Sequence, residues 1–364
     1  MPIIYNSSYK APILLRNADL QTVLTSKFRP YHKLAVTRKR LELPDGDFID
    51  VDLHVCTAGQ TAQAGQAGQA EKRAVIVSHG LEGNSTRRYM LGMATACAEQ
   101  GWDVILRNFR GCSGEMNRLP HFYHGGETGD LDFVVRWAEA EGYETLVLMG
   151  FSMGGNQTLK YLGEMGQAQS LAAAAPCSQN SACILPQAAR TLPEAVRTLP
   201  EAVRCAVTFS VPCDFISGAQ KIDAARNAMY LNYFMKSLCN KIRQKAALFP
   251  DQIDITNLDT MRTFGEFDAQ YTSPMFGFAS ALDYWSQASC KPYLPYINIP
   301  TLLVSSLDDP FLTPQCYPFQ EARNSKHLFL EVPHHGGHVG FISINKENRF
   351  WSEMRAMEFV NEVL

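Results

Sequence analysis

Three residue types in this 364-residue chain have the surroundings that nucleophilic acyl chemistry needs. Ser152 stands in Gly150-Phe151-Ser152-Met153-Gly154, directly after the apolar run Leu146–Met149. A strand that turns sharply into a helix needs glycine beside the turn, because a Cβ there collides with the backbone of the new helix. The pattern predicts a serine hydroxyl exposed at the crest of a strand-turn-helix, with Leu159 and Leu162 at helical spacing behind it. Such a hydroxyl is a weak nucleophile at neutral pH. It requires a base within hydrogen-bond reach and a further group that orients the base. Two stretches late in the chain, each following an apolar run, offer them: Ser305–Pro310 reads SSLDDP, and Pro333–Phe341 reads PHHGGHVGF.

His338 is the candidate base, since the glycines before it let the loop fold over and deliver the ring. His334 and His335 compete for the role. His334 and His338 have the spacing of a helical metal pair, but Pro333, Gly336 and Gly337 oppose a helix there, and no metal or other cofactor is expected. Asp308 and Asp309 are not separable by physics alone. Asp309 is preferred because the acid of this arrangement tends to be the second aspartate of such a pair. The chain order Ser152, Asp309, His338 is that of the α/β hydrolases. An oxyanion needs two backbone N–H donors. Met153, following the nucleophile, is one, and Leu81 in His79-Gly80-Leu81-Glu82-Gly83 is the other. Arg110 is expected to anchor a carboxylate such as Glu127, with a substrate anion as the alternative. Cys112 has no clear base to activate it as a nucleophile.

The elements that must hold these residues follow from periodicity. Arg40–Leu43 and Phe48–Val55 read as a hairpin around Pro44-Asp45-Gly46-Asp47. Ala74–Ser78, Asp103–Asn108, Thr145–Gly150, Cys205–Val211, Thr301–Ser305 and His327–Val332 read as strands, with helices over 86–100, 131–140, 155–165 and 350–364. Strands alternating with helices imply right-handed crossovers and a doubly wound, mostly parallel sheet. The stretch from about 215 to 284 is helical and irregular, with Tyr230, Tyr233, Phe234 and Leu238 on one face, and sits where a helical lid would be inserted. Residues 57–72, rich in Ala, Gly and Gln, are expected to form a flexible loop. So are residues 166–204, in which RTLPEAV occurs twice.

Composition bounds the rest. No linker divides the chain, so one domain spanning 1–364 is expected. A net charge of −3 with no long run of either sign gives no sign of a nucleic-acid partner or an anionic membrane. Ten cysteines without CxxC pairs fit a reducing compartment. With no signal-peptide pattern and no long apolar run for a transmembrane segment, the expected location is the cytoplasm.

With these residues assembled, the chain resembles the YheT-type branch of the α/β-hydrolase superfamily. The matching segments are NADLQT (17–22), LPDGDFIDVD (43–52), HGLEGNS (79–85), NFRGCSGEMNRLPHFYHGGETGD (108–130), GFSMGGN (150–156), SVPCD (210–214), LDDPF (307–311) and GGHVGF (336–341). The resemblance implies a serine hydrolase with Ser152, Asp309 and His338 as its charge-relay residues. Gly125 departs from the HSGE usual in the family, and no histidine has an aspartate five positions later, as the HxxxxD acyltransferase pattern would require. The expected activity is hydrolysis of small-molecule carboxylic esters with an apolar acyl chain. Its rivals are acyl transfer to an alcohol and a non-catalytic binding scaffold.

Overall fold

Strands buried on both faces read as unbroken apolar runs, because successive side chains enter two different cores. This is a computed structural model describing residues 2–29, 33–56, 71–174 and 198–364. Its strands are β1 (Ile3–Ile4), β2 (Thr37–Glu42), β3 (Phe48–His54), β4 (Arg73–Ser78), β5 (Asp103–Arg107), β6 (Thr145–Phe151), β7 (Val203–Phe209), β8 (Thr301–Val304) and β9 (Leu328–Glu331). Together they form one sheet in the order β1-β9-β8-β7-β6-β4-β5-β3-β2. Its pairings are parallel except β2 with β3 and β3 with β5. In the β2–β3 hairpin, Arg38 faces Asp52 and Arg40 faces Asp50, each pair joined by a two-pronged ion contact.

The helices are α1 (Ala18–Phe28), α2 (Arg88–Glu99), α3 (Gly129–Ala140), α4 (Met153–Ala174), α5 (Phe215–Asp223), α6 (Ala228–Leu248), α7 (Phe264–Phe267), α8 (Ser273–Phe276), α9 (Ala281–Ala288), α10 (Phe319–Asn324) and α11 (Trp351–Val363). On one face of the sheet Ala74, Ile76, Leu146 and Leu148 pack with Val134 and Val135 of α3 and with Leu159 and Leu162 of α4. Their neighbours Val75, Val77, Val147 and Met149 pack on the other face with Met90 and Met93 of α2 and Met357 and Val360 of α11. A third apolar cluster lies between β7 and β8 in sequence, where α5 to α9 enclose Phe215, Leu238, Phe264, Phe267 and Trp285.

Two features differ from the expectation. The N-terminal arm contributes an edge strand, with Ile3 and Ile4 paired parallel to Leu330 and Glu331. Two residues carry no periodicity from which a strand could be read. Helix α4 runs on to Ala174, so residues 166–174 are helical where a loop is expected. Packing explains the extension, since this part of α4 lies against the chain after α9: a Cβ on Gly166 would run into Tyr296 O, and Asn298 Nδ2 donates to Gln169 Oε1 at 2.6 Å. The tract at 57–70 and the first RTLPEAV copy lie outside the described residues.

Candidate active site

Ser152 occupies the turn between β6 and α4 with φ +52°, a left-handed conformation that a residue bearing a Cβ adopts only when its surroundings impose it. Those surroundings are fixed on both sides. The Ser152 N–H donates to Phe209 O of β7 at 2.8 Å, and the Asn156 N–H donates to Ser152 O at 3.0 Å as α4 begins. A Cβ on Gly154 would stand 2.4 Å from His79 O and 2.6 Å from Ser78 O, so only glycine lets α4 start this close to the end of β4. A Cβ on Gly80 would lie 3.2 Å from the Ser152 Cβ, which places the loop after β4 directly beside the serine.

The aspartate pair is separated by geometry. His338 Nδ1 lies 2.8 Å from Asp309 Oδ2, while Asp309 Oδ1 accepts the Phe311 N–H at 2.9 Å. The Asp309 side chain is fully shielded from solvent and that of His338 is 10% exposed. Asp308 turns away, accepting the Gly337 N–H and lying 3.4 Å from His335 Nδ1. With Nδ1 of His338 engaged by a carboxylate, Nε2 is left as the acceptor nitrogen. The His338 loop is pinned from three directions: its own N–H donates to Thr22 Oγ1 of α1, the Val339 N–H to Ser210 Oγ after β7, and Ser306 Oγ to Gly337 O. His334 is exposed.

Ser152 and His338 both line one open cavity, together with Leu81 and Met153. Among the described residues the Ser152 hydroxyl has no hydrogen-bond partner, and the Leu81 and Met153 amides donate to no other group. The rest of the lining is mainly apolar and aromatic, from the loop at 122–124 and from α5, α6, α7 and α9. Of the four α6 residues expected on one face, Phe234 and Leu238 line the cavity. Tyr230 instead packs on Phe311 and donates to Asp19, and Tyr233 is 57% exposed.

Several residues that shape this site carry no sequence motif of their own. His79 is buried and neutral: burial lowers its pKa to about 3. Its Nδ1 lies 2.7 Å from Gly80 O and its Nε2 accepts the Phe109 N–H at 3.1 Å, so the ring ties the loop after β4 to the end of β5. Glu82, next to Leu81, holds φ +52° and is buried. It meets Lys241 Nζ of α6 at 2.8 Å, Tyr123 Oη at 2.6 Å and Ser237 Oγ at 2.6 Å. The HG in the sequence was a signal for the turn; nothing local marks the partners.

Arg110 does make a structural ion contact, but with other carboxylates than Glu127. It grips Asp130 through two nitrogens at 2.9 and 2.7 Å and reaches Asp45 at 2.6 Å and Asp47 at 3.3 Å, while Glu127 lies 3.4 Å from His124. Cys112 is buried with its sulfur 3.1 Å from Lys241 Nζ, and burial pushes its thiol up to about 11 despite that cation. Iodoacetamide applied to the folded protein is therefore expected to leave Cys112 unmodified, as peptide mass spectrometry would record. Among the described residues no cluster of three or more His, Cys, Asp or Glu could hold a metal, and no helix is long and apolar enough to cross a membrane.

Comparison with known proteins bears on the family of the chain. A family model described as alpha/beta hydrolase fold matches residues 73–343. The protein YheT of Escherichia coli (strain K12) is 32% identical over 353 residues, covering 96% of this chain and 91% of that one. Phospholipase ABHD3 of Homo sapiens is 27% identical over 270 residues, and the match spans 74% of this chain and 58% of that protein. Monoacylglycerol lipase of Saccharomyces cerevisiae is 25% identical over 295 residues, with coverage of 78% and 58%. Among solved structures, the Pyrococcus furiosus esterase Pf2001 superposes with a TM-score of 0.53 over 91% of each chain at 14% identity, a likeness of fold alone.

Proposed function

The chain belongs to the alpha/beta hydrolase family, in its YheT-type branch, and is an ester hydrolase; we propose that it cleaves small-molecule carboxylic esters through an acyl-enzyme on Ser152. The observation that carries this reading is the placement of Ser152, at a positive φ, on the wall of the same apolar cavity that His338 lines while Asp309 holds its imidazole.

As the substrate carbonyl settles over Ser152, His338 Nε2 takes the hydroxyl proton and Oγ attacks the carbonyl carbon. The Asp309 carboxylate stabilises the imidazolium that forms without itself taking the proton. Negative charge gathers on the carbonyl oxygen, where the Leu81 and Met153 amides donate to it. His338 then returns its proton to the departing alcohol. A water molecule repeats the sequence on the acyl-enzyme, releasing the acid and restoring Ser152. The hydrogen bond between Ser152 and His338 is one that the bound substrate completes, as hydrogen bonds of this kind often tighten only in the Michaelis complex. The helical layer α5 to α9 acts as a lid that keeps water from the acyl chain.

A fluorophosphonate probe tests the reading directly, because phosphonylation needs an activated serine and no particular ester. Mass spectrometry is expected to find the adduct on Ser152 alone, with ester hydrolysis lost in step. Unlabelled Ser152 in active protein would remove this serine from the mechanism.

A further inference from the structure

Among the described residues one carboxylate lines the cavity, and it is Asp268. It opens a π-helical turn (Asp268–Thr272) between α7 and α8, an irregularity frequent at functional sites. Thr272 Oγ1 donates to its Oδ1 at 2.6 Å and Trp285 Nε1 donates to its Oδ2 at 2.7 Å. Two neutral donors orient the group without cancelling its charge. Among the described residues no lysine or arginine lines the cavity, and Asp268 has no ion-pair partner. His124, the other histidine on this wall besides His338, is turned to Glu127 and to the Gly126 N–H. Burial raises the Asp268 pKa to about 6, as expected of a carboxylate short of a counter-charge.

An unpaired carboxylate in apolar surroundings is costly, and it persists where something else supplies the opposite charge. The cavity it shares also presents the rings of Phe122, Phe264, Phe267, Tyr284 and Trp285, with Trp285 in direct contact with its carboxylate. Aromatic faces attract a cation and tolerate the methyl groups of an alkylated amine, which an aspartate alone does not select. We infer that Asp268 and this aromatic wall form a subsite for a positively charged nitrogen, so that the preferred substrates are esters carrying an alkylammonium group on one arm. The inference rests on the ester-hydrolase reading of the same cavity. Asp268 acts here on specificity, with Ser152 and His338 performing the bond cleavage.

Two isosteric pairs of esters test it. In one, the p-nitrophenyl ester of γ-trimethylammoniobutyrate is set against that of 5,5-dimethylhexanoate, which replaces nitrogen by carbon on the acyl arm. In the other, butyrylcholine is set against 3,3-dimethylbutyl butyrate, which makes the same exchange on the alcohol arm. In wild-type protein with Asp268 ionised, the cationic member of one pair is expected to have a kcat/KM about tenfold or more above its isostere. Asp268→Asn, which keeps the shape and an acceptor for Trp285, is expected to bring that ratio to about one by lowering kcat/KM for the cationic member more than for its isostere. Ratios near one for both pairs in wild-type protein, or a preference that survives in Asp268→Asn, would overturn the inference. Continued cleavage of the neutral esters would then leave the hydrolase reading standing. Binding of the four esters to Ser152→Ala protein by calorimetry gives a readout that needs no turnover: tighter binding of a cationic member supports the subsite, and equal binding within both pairs overturns it.

Discussion

Ser152→Ala is expected to lower kcat for ester hydrolysis by roughly 10^4- to 10^6-fold, with the protein still folded. Loss of the nucleophile removes the acyl-enzyme, and only oriented binding and the two amides remain to favour attack by water. The fold should survive, because alanine tolerates φ +52° no worse than serine and the hydroxyl holds nothing together. The two aspartates make a sharper contrast within the same assay. Asp309→Asn exchanges the carboxylate that meets His338 Nδ1 for an amide that favours the wrong tautomer, and a loss of roughly 10^4 in kcat is expected. Asp308→Asn retains an acceptor for the Gly337 N–H and should cost little. Steady-state rates on p-nitrophenyl esters measure all three. A Ser152→Ala rate within about tenfold of wild type would sink the mechanism.

Lys241→Met is expected to destabilise the protein by about 3–5 kcal/mol, a large share of the stability of an ordinary domain. Methionine leaves the Glu82 carboxylate buried without the cation that faces it at 2.8 Å. Burial alone would raise the Glu82 pKa, but Lys241, with hydrogen bonds from Ser237 and Tyr123, outweighs it and holds the carboxyl below its usual range. A carboxylate depressed in this way stabilises the fold above its unfolded pKa, and the contribution disappears as pH falls through the folded value. The deficit of the variant should therefore be full near neutrality and shrink on acidification. Urea unfolding midpoints across that range measure it, and Glu82→Gln in the Lys241→Met background is expected to recover part of the loss. A deficit that does not vary with pH would mean that Lys241 acts through packing alone. Because Leu81 adjoins Glu82, kcat should fall in the folded variant as well.

What could be read in the sequence was what is local. The runs at 74–78 and 145–151 declare β4 and β6 because their residues alternate between two buried faces, and GxSxG declares the turn because backbone crowding admits few other residues. Ser152, His338 and the aspartate pair stand out as candidates on the same grounds. Partnerships across long separations were not. Glu82 and Lys241 each look like solvated surface charge until α6 is laid over the loop after β4, and Arg110 chooses Asp130, Asp45 and Asp47 over Glu127 only once the β2–β3 turn has been folded beside it. Asp268 had no motif at all: an acidic residue among aromatic ones reads as an ordinary amphipathic helix until the rings are seen to share one cavity with it.

The Thr22 hydroxyl accepts the amide proton of His338 across 316 positions of chain, and Tyr9 reaches Gln21 and the Ile342 carbonyl in the same region. Neither α1 nor the His338 loop is held in this way until the two have met in the folded chain. A change in α1, remote from Ser152 in the sequence, would therefore loosen the loop that carries His338.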